Sequence, residues 1–222
     1  MKRVHIILAA ALVISLAGCV PLFGYSDLIE MEADLGRLDG IQWNENTYNT
    51  FANASYNNFY NRNRGSQIGF IAGDKALKIF ELKGYDASEW FAFFMYGEVT
   101  LYKNDRVTDI PGELLTLRLS TMLPVDMVLE ITHILSGQST EHTVTEIYPI
   151  VDWVSGLSLT KETFEPGNTP GDHDGQEVFV FQNSMIETAY VKLGGNESYI
   201  RYGSDWYSVK NPSDPPYRDA LA

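Results

Sequence analysis

The 222-residue chain contains one cysteine, Cys19. No intramolecular disulfide and no cysteine-ligated metal can form, so stability must come from packing. Basic residues are also scarce, sixteen lysines and arginines against twenty-nine acidic residues. That balance speaks against a broad basic face for nucleic acid. Only one long apolar run occurs, at the start of the chain. There is no Gly-x-Ser-x-Gly nucleophile elbow, no phosphate-binding glycine loop and no His-Glu-x-x-His zinc motif. No cofactor motif is present. Apolar residues, in contrast, make up 45% and aromatics 13% of the chain, ample for a globular core rather than a disordered chain.

The apolar run is short and punctuated. Lys2 and Arg3 precede it, Val4 to Leu16 form it, and Leu16-Ala17-Gly18-Cys19 closes it. Basic start, apolar centre and small-residue end are the layout of a secretory signal. An uncleaved membrane span would need about 20 apolar residues. His5, Gly18 and Pro21 interrupt that reading, and no positive cluster follows. A signal cleaved without lipidation is the other alternative.

The ending Leu16-Ala17-Gly18-Cys19 resembles the lipobox of bacterial lipoproteins. The resemblance implies removal of residues 1–18, a diacylglycerol on the Cys19 sulfur, fatty acylation such as palmitate, and attachment to the cell membrane facing outside the cytoplasm. The layout also resembles small Gram-positive surface lipoproteins of unknown function, through Lys83-Gly84-Tyr85-Asp86 and the terminal hairpin; it supplies no site residues. After cleavage, fourteen basic residues would face twenty-nine acidic ones, a net charge of −15.

Residues 19–40 read as anchor and linker, with Ser26 to Glu30 able to start a short helix bearing Leu28, Met31 and Leu35. Ile41-Gln42-Trp43 and Tyr48, around Asn44-Glu45-Asn46, predict a hairpin. Residues 52–67, rich in asparagine, predict a loop carrying Arg62 and Arg64. Ile68–Ile71, Leu77–Leu82, Trp90–Met95 and Glu98–Tyr102 are β-branched or aromatic runs with short turns between them, which predict antiparallel hairpins. Residues 41–108 therefore form one β unit.

Residues 109–211 predict an α+β unit. Met127–Leu135 favours a strand. Ile147, Ile150, Val151, Val154 and Leu157 recur at helical spacing, so the main helix is expected near 147–157, with Pro149 in its first turn. Residues 165–176 read as a polar loop, and Val178–Phe181, Met185–Leu193, Tyr199–Tyr202 and Trp206–Lys210 as antiparallel strands. The offset of Tyr48 from Ile41-Gln42-Trp43 recurs in Ile200-Arg201-Tyr202 and Tyr207. Pro212, Pro215 and Pro216 end regular structure, leaving 212–222 as a tail. The expected fold class is α+β, mostly antiparallel sheet.

Candidate chemistry is sparse. Asp172, His173 and Asp174, with Glu177, gather oxygen donors on one loop, yet Pro170 and Phe181 stand where a calcium loop needs its first and last ligands. A solvated loop is the plainer reading. Ser158-Leu159-Thr160-Lys161 matches Ser-x-x-Lys without the partner motifs of a penicillin-recognising site; a serine and lysine at a helix end explain it. Asp86 and Glu89 beside Tyr85 and Trp90 would flank a sugar stacked on the aromatics, or would be solvated acids of a turn. Arg62 and Arg64 are a positive spot on a negative protein, and arginine with aromatics is enriched at interfaces. No catalytic, metal or cofactor site is assigned. The chain reads as a lipid-anchored, non-catalytic binding or interaction module with an envelope protein or glycan partner and no nucleic acid. The alternatives are an envelope hydrolase acting through Asp86, Glu89 or His173, and a structural envelope lipoprotein.

Overall fold

The computed structural model describes residues 29–33, 40–54, 62–124, 128–172, 175–194 and 196–216. Cys19, its apolar run, His173 and Asp174 lie outside the described residues. The fold is α+β and mostly antiparallel. Among the described residues no helix is long and apolar enough to cross a membrane.

Seven strands form a closed barrel: β1 (Ile29–Ala33), β2 (Gly40–Trp43), β3 (Asn46–Asn53), β4 (Arg64–Ile71), β5 (Asp74–Leu82), β6 (Trp90–Met95) and β7 (Glu98–Asn104). Their order around the ring is β1-β2-β3-β7-β6-β5-β4. All neighbours are antiparallel except β1 and β4, which close the ring in parallel with Ile29 opposite Gly69 and Met31 opposite Ile71. Alternation along each strand sends one set of side chains inward. Met31, Ile41, Tyr48, Ile71, Ile79, Phe91, Phe93 and Tyr102 meet there in one buried cluster. The residues expected to be linker and short helix thus include a barrel strand, β1, whose Met31 is fully buried. Likewise, the expected 52–67 loop is narrower than read, because β3 runs to Asn53 and β4 begins at Arg64.

The second unit is a seven-stranded antiparallel sheet with two helices on one face. Its strands are β8 (Leu129–Leu135), β9 (Gln138–Val144), β10 (Leu159–Glu162), β11 (Glu177–Gln182), β12 (Glu187–Lys192), β13 (Ser198–Tyr202) and β14 (Asp205–Val209), in the order β10-β14-β13-β12-β11-β8-β9. Helix α1 (Gly112–Met122) precedes the sheet, and α2 (Tyr148–Ser155) lies where the helical period placed it, with proline in its first turn. Phe164 packs edge-on against Tyr199 and Trp206 on the other face.

Helix α1 joins the two units. Leu114 and Leu117 enter the cluster on the outer face of β3, β6 and β7, beside Phe51, Ala92 and Leu101. Leu115 and Leu119 enter the core of the second sheet with Ile150, Val154 and Phe179. Arg118, between these two sets, donates to the Phe51 carbonyl of the barrel and, at 2.6 Å, to the Tyr202 hydroxyl of the sheet. Its guanidinium also lies 4.8 Å from the Phe51 ring centroid. The helix starts tight against β10: a Cβ on Gly112 would sit 1.9 Å from the Leu159 carbonyl oxygen, so no other residue fits without moving backbone.

Candidate binding cleft

One open cavity of about 790 Å³ lies where the turn between β5 and β6, the segment after β7 and the β2–β3 turn converge. The β5–β6 turn is fixed by its own residues. Gly84 has φ +86, open to glycine at no cost. The Asp86 carboxylate accepts from the Ser88 amide and hydroxyl, each at 2.8 Å. The Asp86 carbonyl accepts from the amides of Glu89 and Trp90. From the barrel side, Tyr48 and Asn104 both donate to the Ser88 carbonyl, each at 2.9 Å. Asn104, buried, also accepts from the Arg106 amide at 3.0 Å, which bends the chain after β7 around the same turn.

The charges follow from these contacts. Hydrogen bonds from Ser88, the backbone one first, hold the exposed Asp86 carboxyl below its ordinary value. Asp86 therefore stays ionised and is already engaged, which suits a turn cap and not a general acid. Burial, then the Glu113 carboxylate, pushes the Tyr85 phenol well up; its hydroxyl donates to Glu113 at 3.2 Å. Burial lowers the Lys103 ammonium, whose hydrogens go to the carbonyls of Val107 and Asn104. Asp86, Glu89, Arg106 and Asp109 are thus the charged groups of the cleft, three acids and one base.

Asp86 and Glu89 share this cleft, as the sequence placed them. Trp90 also lines the cleft but is not free to stack on a sugar, as the sequence suggested it would. It is 1% exposed and packs edge-on to Phe51 in the core. Arg62 and Arg64 lie elsewhere, exposed before and at the start of β4. Asp172 closes a 3₁₀ turn over Pro170–Asp172 by accepting from the Thr169 amide and hydroxyl. Glu177 does not join it; that side chain is buried in β11 and meets His133 Nε2 at 3.1 Å, with the imidazole stacked on Phe179. No group of three metal-ligating side chains gathers among the described residues.

Lys161 of the Ser-x-x-Lys match is on a strand, not a helix end, and pairs with Asp109 at 2.8 Å and Asp205 at 3.2 Å. Partial burial works against its charge, but the hydrogen bonds to Asp109 and Asp205 outweigh it and hold the ammonium protonated above its ordinary range. A lysine so held cannot act as a base. Asn46, Asn104, Arg106 and Asp109 were not foreseen as part of the cleft. The signal was available, since a β6–β7 hairpin turning at Tyr96-Gly97 pairs Trp90 with Lys103 and so brings 104–106 beside 86–89.

Comparison of the chain with protein-family models, with curated proteins and with solved structures finds no match in any of the three.

Proposed function

We propose that this chain is a lipid-anchored, extracytoplasmic binding module, held by acylated Cys19 and engaging a polar envelope partner, protein or glycan, through the barrel-end cleft. The observation that carries the binding half is that the cleft is open, polar and preformed. Its charged side chains stand on turns already tied by Asp86, Ser88, Asn104 and Tyr48. A preformed surface loses little entropy on binding. Asp86 is poorly set to act as a general acid, because it is engaged by Ser88 and kept ionised. The anchor half rests on the Leu16-Ala17-Gly18-Cys19 run.

The test is mild cross-linking of the full chain in membranes, followed by identification of what it captures. The reading expects one specific envelope component, lost in a Glu89→Lys, Arg106→Glu variant and retained in Arg64→Glu. Capture indifferent to Glu89 and Arg106 would move the binding site away from the cleft.

A further inference from the structure

We infer that the outer face of the β4–β5 hairpin docks on an anionic phospholipid surface, so that the barrel lies on the membrane and the second sheet points away. The inference rests on the lipid-anchor reading and adds an orientation to it.

The hairpin is basic. Residues 62–83 carry five basic side chains, Arg62, Arg64, Lys75, Lys78 and Lys83, and two acidic ones, Asp74 and Glu81. Both acids are turned toward backbone amides: Asp74 accepts from Ala76 and Glu81 from Ser66, each at 2.8 Å. The bases face outward. Leu77 and Ile79 point into the barrel, which puts Lys78 on its outside, in register with Phe70 and Phe94. Lys75 lies over the Phe70 ring at 5.7 Å and Arg64 over Phe80 at 5.6 Å. The hairpin thus presents cations on its outside, two of them laid over the buried Phe70 and half-buried Phe80 rings.

The rest of the chain has the opposite character. Residues 109–216 hold sixteen acidic against five basic residues, a net charge of −11. In the ring of seven strands β4 stands across the barrel from β3 and β7, which together with β6 carry α1 and through it the acidic unit, while β5 reaches that cluster through Leu82 at its end. The molecule is therefore polarised, with the basic β4–β5 hairpin in the barrel and the excess of acid in the sheet unit.

The tether selects which side meets the lipid. Nine residues separate Cys19 from Ile29, a reach of roughly 35 Å at full extension. Strand β1 enters the barrel paired to β4 itself. Attraction of basic side chains to anionic lipid acts within a Debye length of about 8 Å at physiological salt, so it operates only on a face kept close. Among the described residues the β4–β5 face is both close and cationic, and repulsion of the acidic sheet from the same lipid favours the same pose.

Because Cys19 is the only thiol, the full chain can be coupled through it to maleimide lipid in vesicles, whether or not cells acylate it. Lysine acylation mapped by mass spectrometry is then compared on phosphatidylcholine and on equal parts phosphatidylcholine and phosphatidylglycerol. Lys75, Lys78 and Lys83 should label several-fold more slowly on the anionic vesicles, with Lys192 and Lys210 unchanged. In the variant Arg64→Glu, Lys75→Glu, Lys83→Glu the protection of Lys78 should vanish. These three positions are exposed, and an unchanged melting temperature confirms that the variant folds. Equal labelling on the two vesicles, or protection that survives the charge reversal, overturns the inference. Either result leaves native lipidation, which is read from the mass of the cellular protein, untouched.

Discussion

At Asp86 the carboxylate is held by the Ser88 amide and hydroxyl, and its pKa falls below the ordinary 3.8 as a result. A carboxyl with a depressed folded-state pKa stabilises the fold above its unfolded value, and that contribution is lost as pH falls through the folded one. The β5–β6 turn should accordingly be intact at neutral pH and loosen only below about pH 4. Carboxyl-detected NMR titration should give Asp86 a midpoint under 3.8, and Ser88→Ala should raise it part of the way, since the amide donor remains. A midpoint at or above the ordinary value would reopen Asp86 as a proton donor. Arg118 is the second instructive residue. Its hydrogen bonds span both units, so Arg118→Met strands the Phe51 carbonyl and the Tyr202 hydroxyl together. The expected cost is about 2–4 kcal/mol, or a fall of roughly 2–4 °C in Tm per kcal/mol. A thermal melt within a degree of the parent would mean that the contact carries no stability.

Among the elements, helix α1 was the least legible in the sequence, for a physical reason. A helix reveals itself by one apolar stripe, whereas Leu114, Leu115, Leu117 and Leu119 face two different cores and leave no polar side to set the period. Over Leu115 to Leu119 the residues even alternate like a strand. Helix α2 has one core-facing side, with Ile150 and Val154 buried, and was read at nearly its true position. Hairpins were legible wherever a turn signal sat between β-branched or aromatic runs. Strand β9 was missed because Gln138 to Val144 lies at a sheet edge and is exposed over most of its length, leaving no apolar alternation to see. The recurring aromatic offset now has a cause: Ile41 is opposite Tyr48 and Ile200 opposite Tyr207, in two hairpins of identical register with two-residue turns. In the first, Asn44 and Glu45 both adopt positive φ, 49° and 60°. That is a type I′ turn, which favours Asn-Gly. Glu45→Gly should therefore raise stability by about 1 kcal/mol; a lower melting temperature would contradict the turn geometry.

For the whole molecule, the shared helix makes barrel and sheet interdependent. The cluster on the barrel's outer face and the core of the sheet both close on leucines of α1, so calorimetry should record one cooperative transition, and Leu115→Ala should lower it by about 2–5 kcal/mol without splitting it. Two resolved transitions would show that the units fold independently. The site was half legible at this scale. Asp86 and Glu89 were found because a Gly-Tyr-Asp turn with nearby acids stands out locally, but Asn46, Arg106 and Asp109 join them only through strand pairing. The buried His133–Glu177 pair was likewise hidden, since neither residue type signals burial until Leu135–Glu177 and its neighbouring pairs set β8 beside β11. The membrane side of the account depends most on Cys19. The direct test is the intact mass of the protein recovered from the cell membrane. The account predicts a chain beginning at Cys19, residues 1–18 removed, heavier by a diacylglyceryl group, with Cys19→Ala unprocessed and unmodified. A recovered chain with an unmodified Cys19, or a Cys19→Ala variant processed like the parent, would contradict it.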